Sequence, residues 1–435
     1  MLDGKFRESG FGGLVRAFVG LCAVTLSSIC LTFPSGAAPD ERSARAYRVS
    51  FQEFVASLWP LAEKRGISRA TFDRAFADVS YDPKVVANTA TQAEFALPIW
   101  QYIANVVSPA RIERGRQKAQ VERAWLVRAA RTYGVDEGVI MGIWGLETDF
   151  GAFPGTDNVV KALASLAFAH FRGDYFRDEL LSALVILQEG DISVAEMRGS
   201  WAGAMGQTQF MPTSFLLYAV DFEGHGQRDI WSSGPNAIGS TANFLSAHGW
   251  VADQPWGFEV RLPADFVMTD ADSSRPAAFG AFAARGVKRA DGEPLPQSGE
   301  GRLLIPAGRK GPIFLVTDNF DIILQYNNSI SYALAVGLLG DAVKGGGGLA
   351  ARWPVGDQPL HETQVRRLQA KLQKMGYNVG EVDGKVGEAL RAGVRAYQER
   401  NGLTPDGYAN LALLKRVDAG RGRTVGVSGE LPTKQ

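Results

Sequence analysis

The apolar residues hold one period through most of the chain and abandon it in one place. Phe51, Phe54, Val55 and Leu58 recur at three- and four-residue intervals, as do Leu180, Leu181, Leu184 and Leu187, which is the spacing of a single helix face. That pattern dominates from about 45 to 250. Between 256 and 325 it gives way. Phe258-Glu259-Val260-Arg261-Leu262 alternates, Leu303-Leu304-Ile305 and Ile313-Phe314-Leu315-Val316 are short apolar runs, and Pro and Gly are frequent; these are strand signals. Helical spacing returns over Ser331–Val343. Gly345 to Gly348 then form an unbroken glycine run, and residues 344–358 are expected to be a flexible linker.

After the linker, residues 359–417 carry two further helical stripes. Val365, Leu368 and Leu372 form one; Leu390, Val394 and Tyr397 form the other. Asp383-Gly384 and Asp406-Gly407 mark a turn after each. The fold class expected is therefore mainly α, with a small β-containing insertion at 256–325 and a small helical C-terminal domain. The polar residues 418–435 are expected to be a disordered tail. With 435 residues, of which 46% are hydrophobic, the chain has material for about three domains with buried cores.

The N-terminus has a different character. Lys5, Arg7 and Arg16 precede an apolar run from Ala17 to Phe33, followed by Pro34, Ser35, Gly36, Ala37 and Ala38. Basic, apolar and small residues in that order form the pattern of a cleaved secretory signal peptide, here 1–38. The alternative is a single membrane anchor, but the run lies at the lower limit for spanning a bilayer. Neither Cys22 nor Cys30 follows a small residue, so lipid attachment is not expected.

Both cysteines of the chain lie inside this leader. The remainder would have no thiol, which excludes disulfides, thiol catalysis and cysteine–zinc sites. The leader carries three basic and two acidic residues, so the net charge passes from 0 for the whole chain to −1 without it. Nothing in that balance suggests nucleic acid as a partner. The four histidines, His170, His225, His248 and His361, do not pair at metal-ligand spacing. No second run of 18 apolar residues follows, so no membrane span is expected after signal cleavage.

Three segments carry candidate chemistry. The first is Gly142-Ile143-Trp144-Gly145-Leu146-Glu147-Thr148-Asp149-Phe150-Gly151. If Asp136 caps a helix starting at Glu137, Glu147 falls in its last turn and shares a face with Trp144 and Ile143. Apolar surroundings and the negative end of the helix dipole both disfavour its charge, as suits a general acid. The other reading is a surface glutamate at a helix end. The second segment runs from Gly199 to Pro212. Its glycines permit close backbone approach, Ser200 and Gln209 can hydrogen-bond sugar hydroxyls or an amide, and Trp201 and Phe210 offer apolar faces. It also fits a tight loop between helices. The third, Gln325 to Ala333, holds Tyr326, Asn327, Asn328, Ser329 and Tyr332 ahead of a helix, where ordinary N-capping is equally open.

Taken together, the order and wording of these segments resemble the membrane-bound lytic murein transglycosylase B family, over roughly 45–343. The resemblance implies a lysozyme-like catalytic domain. It implies that Glu147, in Gly-Leu-Glu-Thr, is the catalytic glutamate, and that Ser200, Gln209, Tyr326, Asn327 and Tyr332 bind substrate. Val365-Arg366-Arg367-Leu368-Gln369, Gly376-Tyr377, Val382-Asp383-Gly384 and Val394-Arg395-Ala396-Tyr397-Gln398 resemble a helical peptidoglycan-binding domain. One departure is Glu388-Ala389-Leu390, where such domains more often have Thr before the second helix.

The implied activity is cleavage of the MurNAc–GlcNAc β-1,4 bond of peptidoglycan glycan strands in the periplasm, with formation of 1,6-anhydro-MurNAc. A hydrolytic glycosidase pairs two carboxylates, and substrate-assisted enzymes manage with one. Asp149 is two residues from Glu147 and would face away from it on a helix. Two alternatives stand beside this: a hydrolytic muramidase on the same groove, and a non-catalytic peptidoglycan-binding protein. No cofactor is expected. Asp221 to Ser232 resembles a calcium loop of the family in the spacing of 221, 223 and 225 and in Gly226. His225 holds a position usually given to oxygen, however, and Ser232 stands in place of the closing glutamate.

Overall fold

The computed structural model describes residues 50–91, 97–268 and 276–420. The expected leader, the stretch 269–275 of the β-containing segment, and the tail from 421 lie outside these. The described chain is mainly helical, with one five-stranded sheet and one two-stranded ribbon.

At the centre lies the helix Glu137–Thr148. The Asp136 carboxylate caps it by accepting the N–H groups of Gly138 and Val139 at 2.8 and 3.2 Å, two of the donors a helix start leaves unpaired. Every residue from Gly138 to Thr148 is buried, so this helix is enclosed on all sides, as its nearly uniform apolar composition requires. Its end is set by Asp149, Phe150 and Gly151, three successive residues with left-handed φ of 51°, 62° and 87°.

The helix Ile330–Val343, capped by the Ser329 side chain on the Tyr332 N–H, runs antiparallel against it. Glycines set how close the two lie. A methyl group on Gly142 would stand 2.2 Å from the Val336 carbonyl oxygen, and one on Gly340 would stand 2.3 Å from that of Gly138. Backbone therefore meets backbone, and the register is fixed at two levels. Carried one turn further, the same register brings Tyr332 onto Glu147.

β1 (Asp157–Asn158) and β2 (Arg198–Gly199) form the small ribbon. The strand signals at 256–325 correspond to the larger sheet. β3 (Gly257–Arg261), β4 (Ala277–Ala278), β5 (Lys288–Arg289), β6 (Glu300–Leu304) and β7 (Ile313–Val316) form one antiparallel sheet in the order β4-β6-β7-β3-β5. β7 is buried along its whole length, which explains why it reads as an unbroken apolar run rather than an alternation. Trp256 anchors the sheet: its indole packs where Gly337 has no side chain, and its Nε1 donates to Asp341 at 3.1 Å.

The C-terminal segment has a core of its own around Leu368, Leu372, Val394 and Tyr397. It holds the two expected helices, Glu362–Lys374 and Glu388–Arg400, and a third, Leu411–Asp418, that the two stripes did not reveal. Gly347 and Gly348 meet nothing. The residues after them are tied down, because the Glu259 carboxylate accepts the N–H groups of Ala350 and Ala351 at 2.7 and 2.8 Å. The Arg309 N–H in turn reaches Asp406 at 3.0 Å.

Candidate active site

Glu147 is only 7% exposed. The surface reading of this residue is thereby set aside. Loss of hydration on burial pushes its carboxyl up to about 8, against a weaker pull downward from the Tyr332 hydroxyl, which donates to Oε1 at 2.5 Å. Both effects follow from the helix pair: the enclosed last turn removes water, and the antiparallel register delivers the phenol. Burial and the proximity of Glu147 hold the Tyr326 and Tyr332 hydroxyls well above their ordinary range, so both stay protonated and able to donate.

The carboxylate two residues on has opposite surroundings. Asp149 is also 7% exposed, but it has left the helix. Its oxygens meet Arg111 Nε at 3.2 Å and Arg114 Nη2 at 2.8 Å. Arg111 is itself buried and also donates to the Val106 carbonyl at 2.8 Å. Asp149 thus belongs to an ion cluster with one buried and one half-exposed arginine.

The loop Gly206–Phe210 is braced from the same helix. Trp144 Nε1 donates to the Gln207 side-chain oxygen at 3.1 Å, and the Thr148 hydroxyl donates to the Gln207 carbonyl at 2.9 Å. From the other side, the Tyr326 hydroxyl donates to the Thr208 carbonyl at 2.6 Å. Glu179, buried on the helix Tyr175–Glu189, accepts both the N–H and the hydroxyl of Thr213 at 2.9 and 2.7 Å and so holds the start of the following helix. Gln209 lies between these braces with a left-handed φ of 52°. Its Nε2 donates to the carbonyls of Pro154 and Gly206 at 3.0 and 2.9 Å, which leaves Oε1 turned to accept.

Ser200 sits in a tight turn where its Oγ accepts the N–H groups of Ala202 and Ala204 at 3.3 and 3.1 Å, so its own proton is available to donate. Asn327 ends the helix Asp318–Tyr326 in an extended conformation and is buried. The structure thus brings Glu147 and Tyr332 into contact and sets Tyr326 within the electrostatic reach of Glu147. Gln209 and Ser200 lie along the segment that follows the Glu147 helix.

Two sequence expectations change. Phe210 is 2% exposed and packs against Phe244 and Tyr326 with centroids 5.8 Å from each; it belongs to the core and offers no face to a sugar. Tyr326 turns its hydroxyl to the loop backbone and acts as a brace. One residue escaped the sequence reading: Tyr102, on the helix Ile99–Val106, lies close enough to Tyr332 to perturb it electrostatically. It stands outside all three motifs, so no local spacing marked it.

In the Asp221–Ser232 loop the Asp221 and Asp229 carboxylates hydrogen-bond within the loop. Asp221 accepts the N–H groups of Gly224, His225 and Gly226 at 2.8, 3.0 and 2.6 Å. The Glu223 carboxylate is taken by the Ser233 hydroxyl, and Asp229 accepts from Trp231 and Ser232. A standard EF-hand loop closes with a bidentate glutamate, and this one has Ser232 there. Among the described residues no three His, Cys, Asp or Glu side chains assemble as a metal site. No helix among them is long and apolar enough to cross a membrane.

The family model described as a transglycosylase SLT domain matches residues 50–341, and one for a peptidoglycan binding domain matches residues 361–417. The chain is 35% identical over 255 residues to membrane-bound lytic murein transglycosylase B of Escherichia coli (strain K12), spanning 56% of this chain and 66% of that protein. The crystal structure of SltB3 from Pseudomonas aeruginosa in complex with NAG-anhNAM-pentapeptide superposes with a TM-score of 0.81 at 45% identity, covering 85% of this chain and 99% of that one. The Escherichia coli lytic transglycosylase Slt35 in complex with calcium gives a TM-score of 0.58 at 29% identity, covering 71% of this chain and 98% of that one.

Proposed function

Because the chain belongs to the transglycosylase SLT domain family, whose relatives are lytic murein transglycosylases, we propose that it cleaves the MurNAc–GlcNAc β-1,4 bond of peptidoglycan without consuming water. The observation that carries this reading is the contrast between its two neighbouring carboxyl groups. Glu147 is buried and holds its proton up to about pH 8. Asp149, two residues on, is sealed between Arg111 and Arg114. A hydrolytic glycosidase usually pairs a second carboxylate across the scissile bond, and Asp149, the nearest in sequence, is engaged by two arginines instead.

With Tyr332 donating to Oε1, the acid proton of Glu147 sits on Oε2. It passes to the bridging oxygen as the C1–O4 bond breaks, and the GlcNAc leaves with a free hydroxyl. The 2-acetamido oxygen of MurNAc closes on C1 to form an oxazolinium. The Glu147 carboxylate, steadied by the Tyr332 hydrogen bond, then removes the proton from the C6 hydroxyl. O6 bonds to C1, the acetamido group is released, and Glu147 is protonated again. One group serves as acid and then as base, as a carboxyl with a raised pKa in a dry pocket can. Gln209 Oε1, the Ser200 hydroxyl and Asn327 would hold sugar hydroxyls and the acetamido group.

In this reading, residues 45–343 are the catalytic domain with the 256–325 insertion, 344–358 the connection, and 359–417 a wall-binding domain that keeps the enzyme on its polymer. Export to the periplasm by the 1–38 leader follows from the location of the substrate. Mass spectrometry of digested murein tests the chemistry, since a 1,6-anhydro end is one water lighter than a reducing end. Anhydro ends released by the wild-type chain and absent with Glu147→Gln are expected. Reducing ends alone would point to a muramidase, and equal release by both proteins would remove Glu147 from the mechanism.

A further inference from the structure

Phe153 is 72% exposed, although its backbone is tied to the preceding helix. Its N–H donates to the Thr148 carbonyl at 2.9 Å. The preceding turn takes three successive left-handed residues, two of them not glycine, a strain that persists only where the surroundings impose it. Here the buried Arg111–Asp149 pair, joined by the half-exposed Arg114, imposes it from one side. On the other side the Pro154 carbonyl accepts Gln209 Nε2 at 3.0 Å, and Gly155 lies so close to β2 that a methyl group there would stand 2.1 Å from the Gly199 carbonyl oxygen. Asp157 and Asn158 then pair with Gly199 and Arg198. The segment is fixed at both ends and in the middle, and beside the small or polar Ala152, Thr156 and Asp157 it holds one aromatic ring out to solvent. Its neighbour Phe150, by contrast, is 7% exposed and fills the core.

We propose that the arm Asp149–Asn158 presents Phe153 as a stacking platform for a sugar ring of the glycan strand, next to the ring held by Gln209 and Ser200. This deepens the function proposed above and rests on its placement of the glycan along that segment. The face of a hexopyranose that carries axial C–H bonds is apolar, and an aromatic ring fixed in advance gains that contact without the cost of ordering a loop. The arm begins two residues after Glu147 and continues through the carbonyl that orients Gln209, so Phe153 is carried on the segment that links these two groups. Asp149, which has no place in the chemistry, acts here as a positioning residue: its ion cluster keeps the arm in its strained form.

Binding to the full-length Glu147→Gln chain tests this, because nothing is cleaved while affinity is measured. The probe is a GlcNAc–MurNAc hexasaccharide, followed by titration calorimetry. Adding Phe153→Ala is expected to weaken binding roughly tenfold, while Phe153→Trp holds it within about twofold of the parent. Thermal unfolding should be unmoved by Phe153→Ala, since the ring is exposed. Phe153→Ala binding within twofold of the parent would overturn the platform, as would Phe153→Trp losing as much as Phe153→Ala. No binding by the parent itself would overturn both the platform and the groove. The product analysis of the wild-type digest stands apart: reducing ends there would change the chemistry while leaving the platform to the binding data.

Discussion

Two carboxyl groups two residues apart meet opposite surroundings in this protein. Glu147 lies in the last turn of an enclosed helix, with a phenol as its hydrogen-bond partner and no cation acting on it among the described residues. Asp149 lies just past the helix end, equally buried, between two guanidinium groups. Burial without a counter-charge favours the neutral acid, and burial with counter-charges keeps an ion. The comparison teaches that depth alone does not decide what a buried carboxylate does. The change of backbone from helical to left-handed between Thr148 and Asp149 does, because it turns one side chain toward Tyr332 and the other toward Arg111.

The strongest way to break the comparison is to remove the acid. Glu147→Gln keeps the shape and the Tyr332 contact, so activity should fall by about 10³-fold with the fold intact. The stability of that variant carries a sign. A carboxyl raised from 4.5 to about 8 in the folded chain holds a proton that the unfolded chain has lost, so wild-type stability declines as pH rises across that window. Glu147→Gln removes this decline. It should melt at a higher temperature than wild type near pH 8 and at a similar one near pH 4.5. A melting difference that does not grow with pH would sink this account of the burial.

Removing the other carboxylate should act on the fold first. Asp149→Ala leaves Arg111 buried without its counter-charge and is expected to cost about 3 kcal/mol, as broken buried pairs do, read as a shift in the urea midpoint. A loss of activity with unchanged stability would instead place Asp149 in the chemistry.

The helix pair that creates the contrast can be strained directly. Gly142→Ala places a methyl group 2.2 Å from the Val336 oxygen, so the helices must separate, at about 2 kcal/mol. The register that brings Tyr332 to Glu147 should loosen with them, and activity should drop alongside stability. Gly347→Ala, where nothing lies within 4 Å, is the matched substitution that should change neither.

The smallest change sharpens the comparison. Tyr332→Phe removes the hydrogen bond that favours the charged form of Glu147, so the alkaline limb of kcat/KM should move to higher pH by up to about one unit, with activity reduced roughly tenfold. A limb moving to lower pH would mean that Tyr332 stabilises the neutral acid instead.

Much of one side of this comparison is legible in the sequence. The cap at Asp136, the apolar stripe and Gly151 locate a helix whose last turn holds Glu147, and the periodicity change at 256–325 marks the sheet. These are local signals, set by residues within a turn or two of each other. What the sequence does not display is partnership at a distance. Arg111 lies 38 positions before Asp149 and nothing in its spacing announces the pair; the Glu179 brace on Thr213 spans 34 positions. Tyr102 reaches the site from a separate helix. Phe210 shows the reverse error: an aromatic beside Gln209 looks like a sugar platform until the fold packs it against Phe244. Phe153 belongs to none of the three motifs, yet on the arm after Asp149 it is the ring that stays outside.

The most direct test is a carbon-13 NMR titration of the glutamate carboxyls, comparing wild type with Glu147→Gln so that the one missing signal is assigned. The account predicts a carboxyl that keeps its proton through neutral pH and loses it near 8. A Glu147 signal that titrates near 4.5, the ordinary value for a glutamate, would contradict it.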